Sequence, residues 1–362
     1  MAVASRLGLT IVVLLCSMRT SLATWRRHEL RRSVPNPTLV QDRSVSLWAF
    51  LRGGGVTDEP PPTLDLAYER RPFVPLAQRY PLSVASVRGQ RPKMEDEFAT
   101  GPDFCAVFDG HGGPAVSRYL RQNLYAEVQA AMSRLPPDKS LKGYEGALRD
   151  AIEKVDRDVS RIKHWSFQGS TVVALWCHPD EKTLLLANVG DSRAVLSRNA
   201  TALQITRDHK PNDPIERTHI ESLGGAVTWH GNVDWRGQPI LDRGLFRVNG
   251  GLALSRAVGD FAERPLVHAD PDISRISVHA LDDFVVLATD GLWDVFENDE
   301  VVDLIHCALA TGDVEQDDVT SLLVEEALRR GSYDNVTVIV VWLRNLTNDD
   351  GHLAAIKVER ED

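Results

Sequence analysis

Phe104-Cys105-Ala106-Val107-Phe108-Asp109-Gly110-His111-Gly112-Gly113 runs from five consecutive apolar residues into an acid, an imidazole and three glycines. A continuous apolar run this short reads as a strand buried on both faces, since a strand with one wet face would alternate. Phe284-Val285-Val286-Leu287-Ala288 repeats the pattern and leads to Asp290 in Asp290-Gly291-Leu292-Trp293-Asp294. Residues 171–176 and 183–189, separated by the turn-like His178-Pro179-Asp180-Glu181, read as a hairpin, and residues 335–343 as a further β-rich run. Between these lie helical stripes. Val116, Leu120, Leu124, Val128, Met132 and Leu135 recur at about every fourth position, with Pro114 suited to a first turn. Leu148, Ile152, Val155, Val159 and Ile162 form a second stripe, and residues 214–223, 300–309 and 319–330 carry further helical signals, the first and last ending at glycine. Consecutive strands with helices grouped in pairs point to an α+β layered sandwich, not to a strictly alternating parallel sheet.

The 362 residues are 43% hydrophobic and 25% charged, which excludes low-complexity and disordered classes for most of the length. With 41 basic against 51 acidic residues the net charge is −10, so a nucleic-acid partner is not expected. Cys105, Cys177 and Cys307, behind Cys16 in the leader, show no C-x-x-C spacing, which argues against a disulfide scaffold or a zinc knuckle. Arg6 precedes an apolar run over residues 7–16, and Ser21-Leu22-Ala23 offers small residues for cleavage, so residues 1–23 read as a secretory-type leader. The other reading is a disordered, loosely amphipathic start. The run falls short of the roughly 20 apolar residues a spanning helix needs, so no stable membrane span is expected once the leader is removed. Residues 24–79, which carry Arg26, Arg27, Arg31, Arg32 and Arg43, then Gly53-Gly54-Gly55 and Pro60-Pro61-Pro62, read as a linker or a second targeting segment. The address is then the secretory pathway or an organelle reached through it; a cytoplasmic enzyme, or one tethered by an uncleaved leader, is the alternative. Residues 80–345 form the compact domain, expected as a monomer, and residues 346–362 a polar tail.

The chemistry lies in where the acids fall. Asp109 and Asp290 follow the two buried runs, Asp334 precedes the last β run, and Glu95-Asp96 follows Arg91. Each Asp-Gly alone is an ordinary turn pair, and Asp191 in Val189-Gly190-Asp191-Ser192-Arg193 is open to the reading that it closes a hairpin. Taken together, acids at the ends of neighbouring core strands would repel one another unless cations sat among them. An all-oxygen set with no paired histidines selects Mg²⁺ or Mn²⁺ over zinc.

Eight segments carry a resemblance in order: Arg91-Pro92-Lys93-Met94-Glu95-Asp96, Phe108-Asp109-Gly110-His111-Gly112-Gly113, Gly169-Ser170-Thr171, Val189-Gly190-Asp191-Ser192-Arg193, Asp208-His209-Lys210-Pro211, residues 247–260, Asp290-Gly291-Leu292-Trp293-Asp294 and Tyr333-Asp334-Asn335. Over residues 80–343 the chain resembles the metal-dependent protein serine/threonine phosphatases of type 2C. The resemblance implies a four-layer α-β-β-α sandwich of two antiparallel sheets flanked by helix pairs, with a metal centre at one end. It implies that Asp109 bridges two metals, that Asp290 and Asp334 complete the first shell, and that Glu95 and the Gly110 carbonyl serve the second. Asp191 and Asp294 match a third, weaker site, and Asp96 a position that holds metal waters. Arg91 matches the phosphate-binding arginine and His111 the general acid. The implied reaction is hydrolysis of phosphoserine and phosphothreonine in proteins by in-line attack of a dimetal-bound water, with no covalent phosphoenzyme; the alternative is a non-catalytic scaffold of the same fold.

Elementary chemistry favours that set. A phosphate dianion repels hydroxide and its alkoxide leaves poorly; two cations about 3.5–4 Å apart acidify a water and neutralise phosphoryl oxygens. The arginine fork grips phosphate in a bidentate way. A cysteine-nucleophile phosphatase would need an arginine six positions after its cysteine, where this chain has Leu22, His111, Thr183 and Asp313. Two departures stand out: the leader, and a segment between Gly225 and Arg247 that matches the family's variable flap, either shaping substrate choice or a passive surface insertion. Asn335-Val336-Thr337 is a formal glycosylation sequon beside Asp334; Asn199 and Asn345 are the better acceptors, with Asn335 expected to be shielded by folding.

Overall fold

The computed structural model describes residues 69–76, 80–136, 140–180, 182–312, 314–344 and 346. The leader, most of the linker segment, Asn345 and the tail past residue 346 lie outside the described residues. In chain order the elements are β1 (Glu69–Leu76), β2 (Tyr80–Val87), β3 (Glu97–Gly101), β4 (Phe104–Phe108), β5 (Gly110–His111), α1 (Ala115–Ser133), α2 (Leu141–Ser160), β6 (Gly169–Ser170), β7 (Val172–Cys177), β8 (Thr183–Val189), β9 (Arg193–Arg198) and β10 (Thr201–Gln204). There follow α3 (Pro214–Ser222), β11 (Val227–Val233), β12 (Pro239–Val248), β13 (Val258–Gly259), β14 (Asp272–Ser277), β15 (Asp282–Ala288), α4 (Asp290–Trp293), α5 (Asn298–Thr311), α6 (Val319–Arg329) and β16 (Val336–Trp342).

Six strands pair in the order β1-β2-β16-β15-β9-β10 and five in the order β14-β8-β7-β4-β3, every pairing antiparallel. The two apolar runs explain the stacking. In β15, Phe284, Val286 and Ala288 join the cluster of α5 and α6, while Val285 and Leu287 face the other way, into a cluster shared with Cys105 and Val107 of β4. Phe104, Ala106 and Phe108 in turn pack among the buried faces of α1 and α2. Both faces of each sheet are therefore covered, which gives layers in the order helix, sheet, sheet, helix. Each such large apolar side chain withdrawn from water contributes about 1.5–3 kcal/mol. Among the described residues no helix is long and apolar enough to cross a membrane.

Three sequence readings shift. The compact unit starts before residue 80: β1 lies inside the segment read as linker and pairs with β2 as the edge of the larger sheet. The first two helices stop at Ser133 and Ser160, so Leu135 and Ile162 fall past their ends. Asp191 does not close a hairpin, because β8 and β9 belong to different sheets and Gly190-Asp191-Ser192 crosses between them. The segment read as a flap is the hairpin β11–β12, paired from Val227↔Val248 outward and rooted by Val248 among Ile220, Ala257 and Val267.

A buried ion pair anchors the ground below that hairpin. Glu216, on α3, accepts from Arg256 Nε at 3.0 Å and Nη2 at 2.6 Å and from Ser255 Oγ at 2.9 Å. Burial would raise its pKa, but the bonds and charge of Arg256 outweigh that and bring the carboxyl from 4.5 down to about 2. A lowered folded-state pKa contributes stability above the unfolded value that disappears as pH falls through the folded one. Glu216→Gln, which leaves Arg256 only Asp272 as a charged partner, is expected to cost about 3 kcal/mol near neutrality. Denaturant titrations should show that gap closing between about pH 4.5 and pH 2; a pH-independent gap would remove the carboxylate charge as its cause.

Candidate metal centre

Five segments at one end of the sandwich carry the acids. Asp109 follows β4 and is held by a reciprocal pair, Asp109 N donating to Thr171 Oγ1 at 3.0 Å and Thr171 N to the Asp109 carbonyl at 2.9 Å. Thr171 Oγ1 also meets Ser192 Oγ at 2.7 Å, tying the crossover loop of Asp191 to the same point. Asp290 opens the short α4, locked by Trp293 Nε1 donating to the Ala288 carbonyl and Ser332 Oγ to that of Gly291. Asp334 precedes β16, and its neighbour Asn335 staples the first loop. Asn335 Oδ1 accepts from the backbone N–H of Glu95 at 2.8 Å, while its Nδ2 donates to the carbonyls of Arg88 and Lys93. Asn335 is thus buried and its amide nitrogen doubly committed, as expected for a shielded sequon. Gly110 has to be glycine: a Cβ there would lie 2.4 Å from the Glu95 carbonyl oxygen.

These loops surround a pocket of about 370 Å³. Arg91, Glu95, Asp109, Gly110, His111, Asp191, Asp290, Asp294 and Asp334 all line it. Asp96 does not. It turns away into the core, where its Oδ2 accepts hydroxyl hydrogens from Thr289 and Thr337, both at 2.8 Å. Burial, only partly offset by those hydroxyls, pushes its pKa up to about 7. Glu95 is thus half-buried at the pocket wall, whereas Asp96, read from the sequence among the residues of the metal centre, is buried behind it. The structure also adds residues to which the sequence assigned no role. Lys210 lines the pocket and forms an ion pair with Asp191, and Arg247 and Leu245 of the flap complete one wall.

Six carboxylates against the three cations Arg91, Lys210 and Arg247 leave the pocket strongly acidic. Withdrawal from water, then the charges of Asp290, Asp96, Asp191 and Asp334, raise the Asp109 pKa well above the ordinary carboxylate range. Asp290 is raised likewise by withdrawal from water and by Asp191 and Asp294, with Lys210 opposing. Among the described residues no three His, Cys, Asp or Glu side chains close on one point as a formed metal shell does. Two of the acids take internal partners, Asp334 with Arg91 at 2.5 Å and Asp191 with Lys210. The donor set nevertheless fits hard divalent cations: oxygen ligands only, no thiolate or histidine pair, and a surplus of negative charge held in place by the fold.

His111, on β5, is half-buried, with Nε2 2.6 Å from Asp260 Oδ2. Burial alone would lower its pKa; the hydrogen bond and charge of Asp260, with Asp191 and Glu95, raise it overall. At the mouth stands Arg91, about half exposed at 53%.

An α-β-β-α sandwich whose acid-walled pocket also holds an arginine and a histidine defines a metal-dependent hydrolase of phosphate esters. The family model of Protein phosphatase 2C matches residues 82–336. A probable protein phosphatase 2C of Arabidopsis thaliana is 35% identical over 289 residues, covering 76% of this chain and 74% of the relative. Among solved structures, a sex-determining protein of C. elegans aligns with a TM-score of 0.64 at 30% identity, over 73% of this chain and 64% of that one. A serine-threonine phosphatase 2C from Toxoplasma gondii shares the fold, with a TM-score of 0.60 at 22% identity over 77% and 99% of the two chains. The chain belongs to the protein phosphatase 2C family. It is a protein serine/threonine phosphatase and dephosphorylates proteins in a metal-dependent reaction.

Proposed function

We propose that this pocket takes Mg²⁺ or Mn²⁺ at two sites that share Asp109, and that it hydrolyses phosphoserine and phosphothreonine side chains by direct attack of water. Asp290 and Asp334 would complete one site, Glu95 and the Gly110 carbonyl the other, and Asp191 with Asp294 a third, weaker one. Bound divalent ions supply charge neutralisation for the phosphoryl oxygens and acidify water for attack on phosphorus. Asp96, set behind the pocket, serves by its charge and by fixing the Glu95 segment through Thr289 and Thr337. The Arg91 fork, released from Asp334 once that carboxylate is otherwise neutralised, grips the phosphate oxygens at the mouth. His111 protonates the departing serine or threonine oxygen. The observation that carries this reading is the gathering of nine of the ten residues singled out in the sequence around one pocket.

Hydrolysis of a phosphothreonyl peptide with Mn²⁺ or Mg²⁺ tests it. Activity should vanish with EDTA, return on adding either ion in excess, and be absent in Asp109→Asn; turnover that survives complete chelation would contradict it. We propose further that residues 1–23 direct the enzyme into the secretory pathway. Imaging a fusion tagged at the C-terminus should show a secretory or organelle pattern that becomes cytoplasmic when residues 1–23 are deleted; an unchanged pattern would refute the leader.

A further inference from the structure

Asp260 does not line the pocket and touches the site through His111, yet the fold makes several arrangements around it. The three-stranded sheet β13-β6-β5 consists of two-residue strands, and of its six residues Val258 is the one that joins an apolar core cluster. Its central row aligns His111, Gly169 and Gly259: Gly169 is paired with His111 on one side and with Gly259 on the other. Asp260, next after Gly259, reaches across Gly169 to the imidazole. Gly169 leaves the room for it, since a Cβ there would sit 2.0 Å from Asp260 Oδ2 and 2.6 Å from His111 Nε2. Asp260 itself is buried and adopts a left-handed conformation, φ 49° and ψ 44°, uncommon for a residue with a side chain. Its neighbours hold it there. Asp260 N donates to the Gln168 carbonyl at 3.0 Å, Gly259 N to Asp156 Oδ1 at 2.9 Å, and Arg264 Nη2 bridges Asp156 and the Gly259 carbonyl.

We infer that Asp260 is a positioning residue for His111: it fixes the plane of the ring and claims Nε2–H, leaving Nδ1 as the nitrogen that serves the leaving oxygen. A carboxylate accepts only, so the 2.6 Å contact requires the proton on Nε2. The small sheet, besides seating Val258 in the core, is then a bracket that sets one hydrogen bond. The inference rests on the acid role proposed for His111, and its test separates the two.

Two measurements suffice. In ¹⁵N-histidine spectra of the wild-type protein without added metal, the neutral His111 ring should be the Nε2–H tautomer with a strongly hydrogen-bonded proton; an Nδ1–H tautomer overturns the inference, whatever the enzyme does. In kinetics with Mn²⁺, Asp260→Asn should lower kcat on a phosphothreonyl peptide about 10–100-fold with KM within about twofold, and lower that on an aryl phosphate, whose phenolate leaves unaided, less than about threefold. Placed in His111→Ala, the same substitution should cost less than about twofold more, because Asp260 acts through the ring. An equal loss in both backgrounds, or no loss in the wild type, overturns the positioning role. A wild type that hydrolyses neither substrate refutes the phosphatase reading, and the tautomer then decides by itself whether Asp260 sets the ring. Should Asp260→Asn fail to fold, that spectrum of the unaltered chain decides alone.

Discussion

Asp290→Asn is expected to abolish hydrolysis while making the metal-free protein more stable. The loss should reach about 10³-fold or more, since a cation supplies several kcal/mol of charge stabilisation and each 1.4 kcal/mol is about a factor of ten. The gain follows from the same charge. Asp290 is pressed upon by Asp191 and Asp294 and withdrawn from water, which raises its pKa in the folded state. A raised carboxyl pKa means that the fold prefers the protonated form, so its penalty is absent below the ordinary carboxylate range and grows as pH rises above it. Asparagine keeps the shape and removes the charge. Each kcal/mol of relief corresponds to a rise of about 2–4 °C in Tm for a domain of this size. Calorimetry with and without Mn²⁺ reads both effects: the variant should start higher without metal and gain less from it. A variant that is both active and unstabilised would take Asp290 out of the centre.

His111→Ala carries the second large effect, and it should depend on the substrate. A threonine alkoxide leaves poorly without a proton, whereas a nitrophenolate departs on its own. The expected loss is about 10²–10⁴ on a phosphothreonyl peptide and under about tenfold on an aryl phosphate, with the metal requirement unchanged. Single-turnover rates on both substrates check it. Equal losses would mean that the imidazole, 2.6 Å from Asp260, holds the loop together and donates nothing.

Why these residues were legible, and others not, is a matter of geometry. Residues 104–108 and 284–288 announce buried strands because both faces are covered, so every position is apolar. β1 lies at the end of a span whose upstream arginines, glycines and prolines read as linker, and it carries Pro72 and Pro75 itself; an edge strand tolerates proline because one side of its backbone needs no partner. The flap strand β11 was silent for the opposite reason, since most of Val227–Val233 is exposed and carries no apolar pattern. At the site, Asp109 and Asp334 stand beside strand ends and line the pocket, whereas Asp96, equally next to a strand, gives its Oδ2 to Thr289 and Thr337, partners 193 and 241 positions away that no local pattern shows. Partnerships across long separations leave no local trace: Asp260 lies 149 positions from His111 and meets it only through the three-stranded sheet. Lys210 stood in plain view in Asp208-His209-Lys210-Pro211, yet its pairing with Asp191 depends on the crossover between the two sheets.

The central claim is that carboxylates from separate loops hold a pair of cations which share Asp109. Anomalous diffraction at the manganese edge, on crystals grown with Mn²⁺, measures this directly. Two adjacent peaks should appear, with Asp109 contacting both, Asp290 and Asp334 on one, and Glu95 and the Gly110 carbonyl on the other. Both peaks should disappear in Asp109→Asn. A single peak away from Asp109, or none at saturating Mn²⁺ in crystals of active protein, would contradict the account.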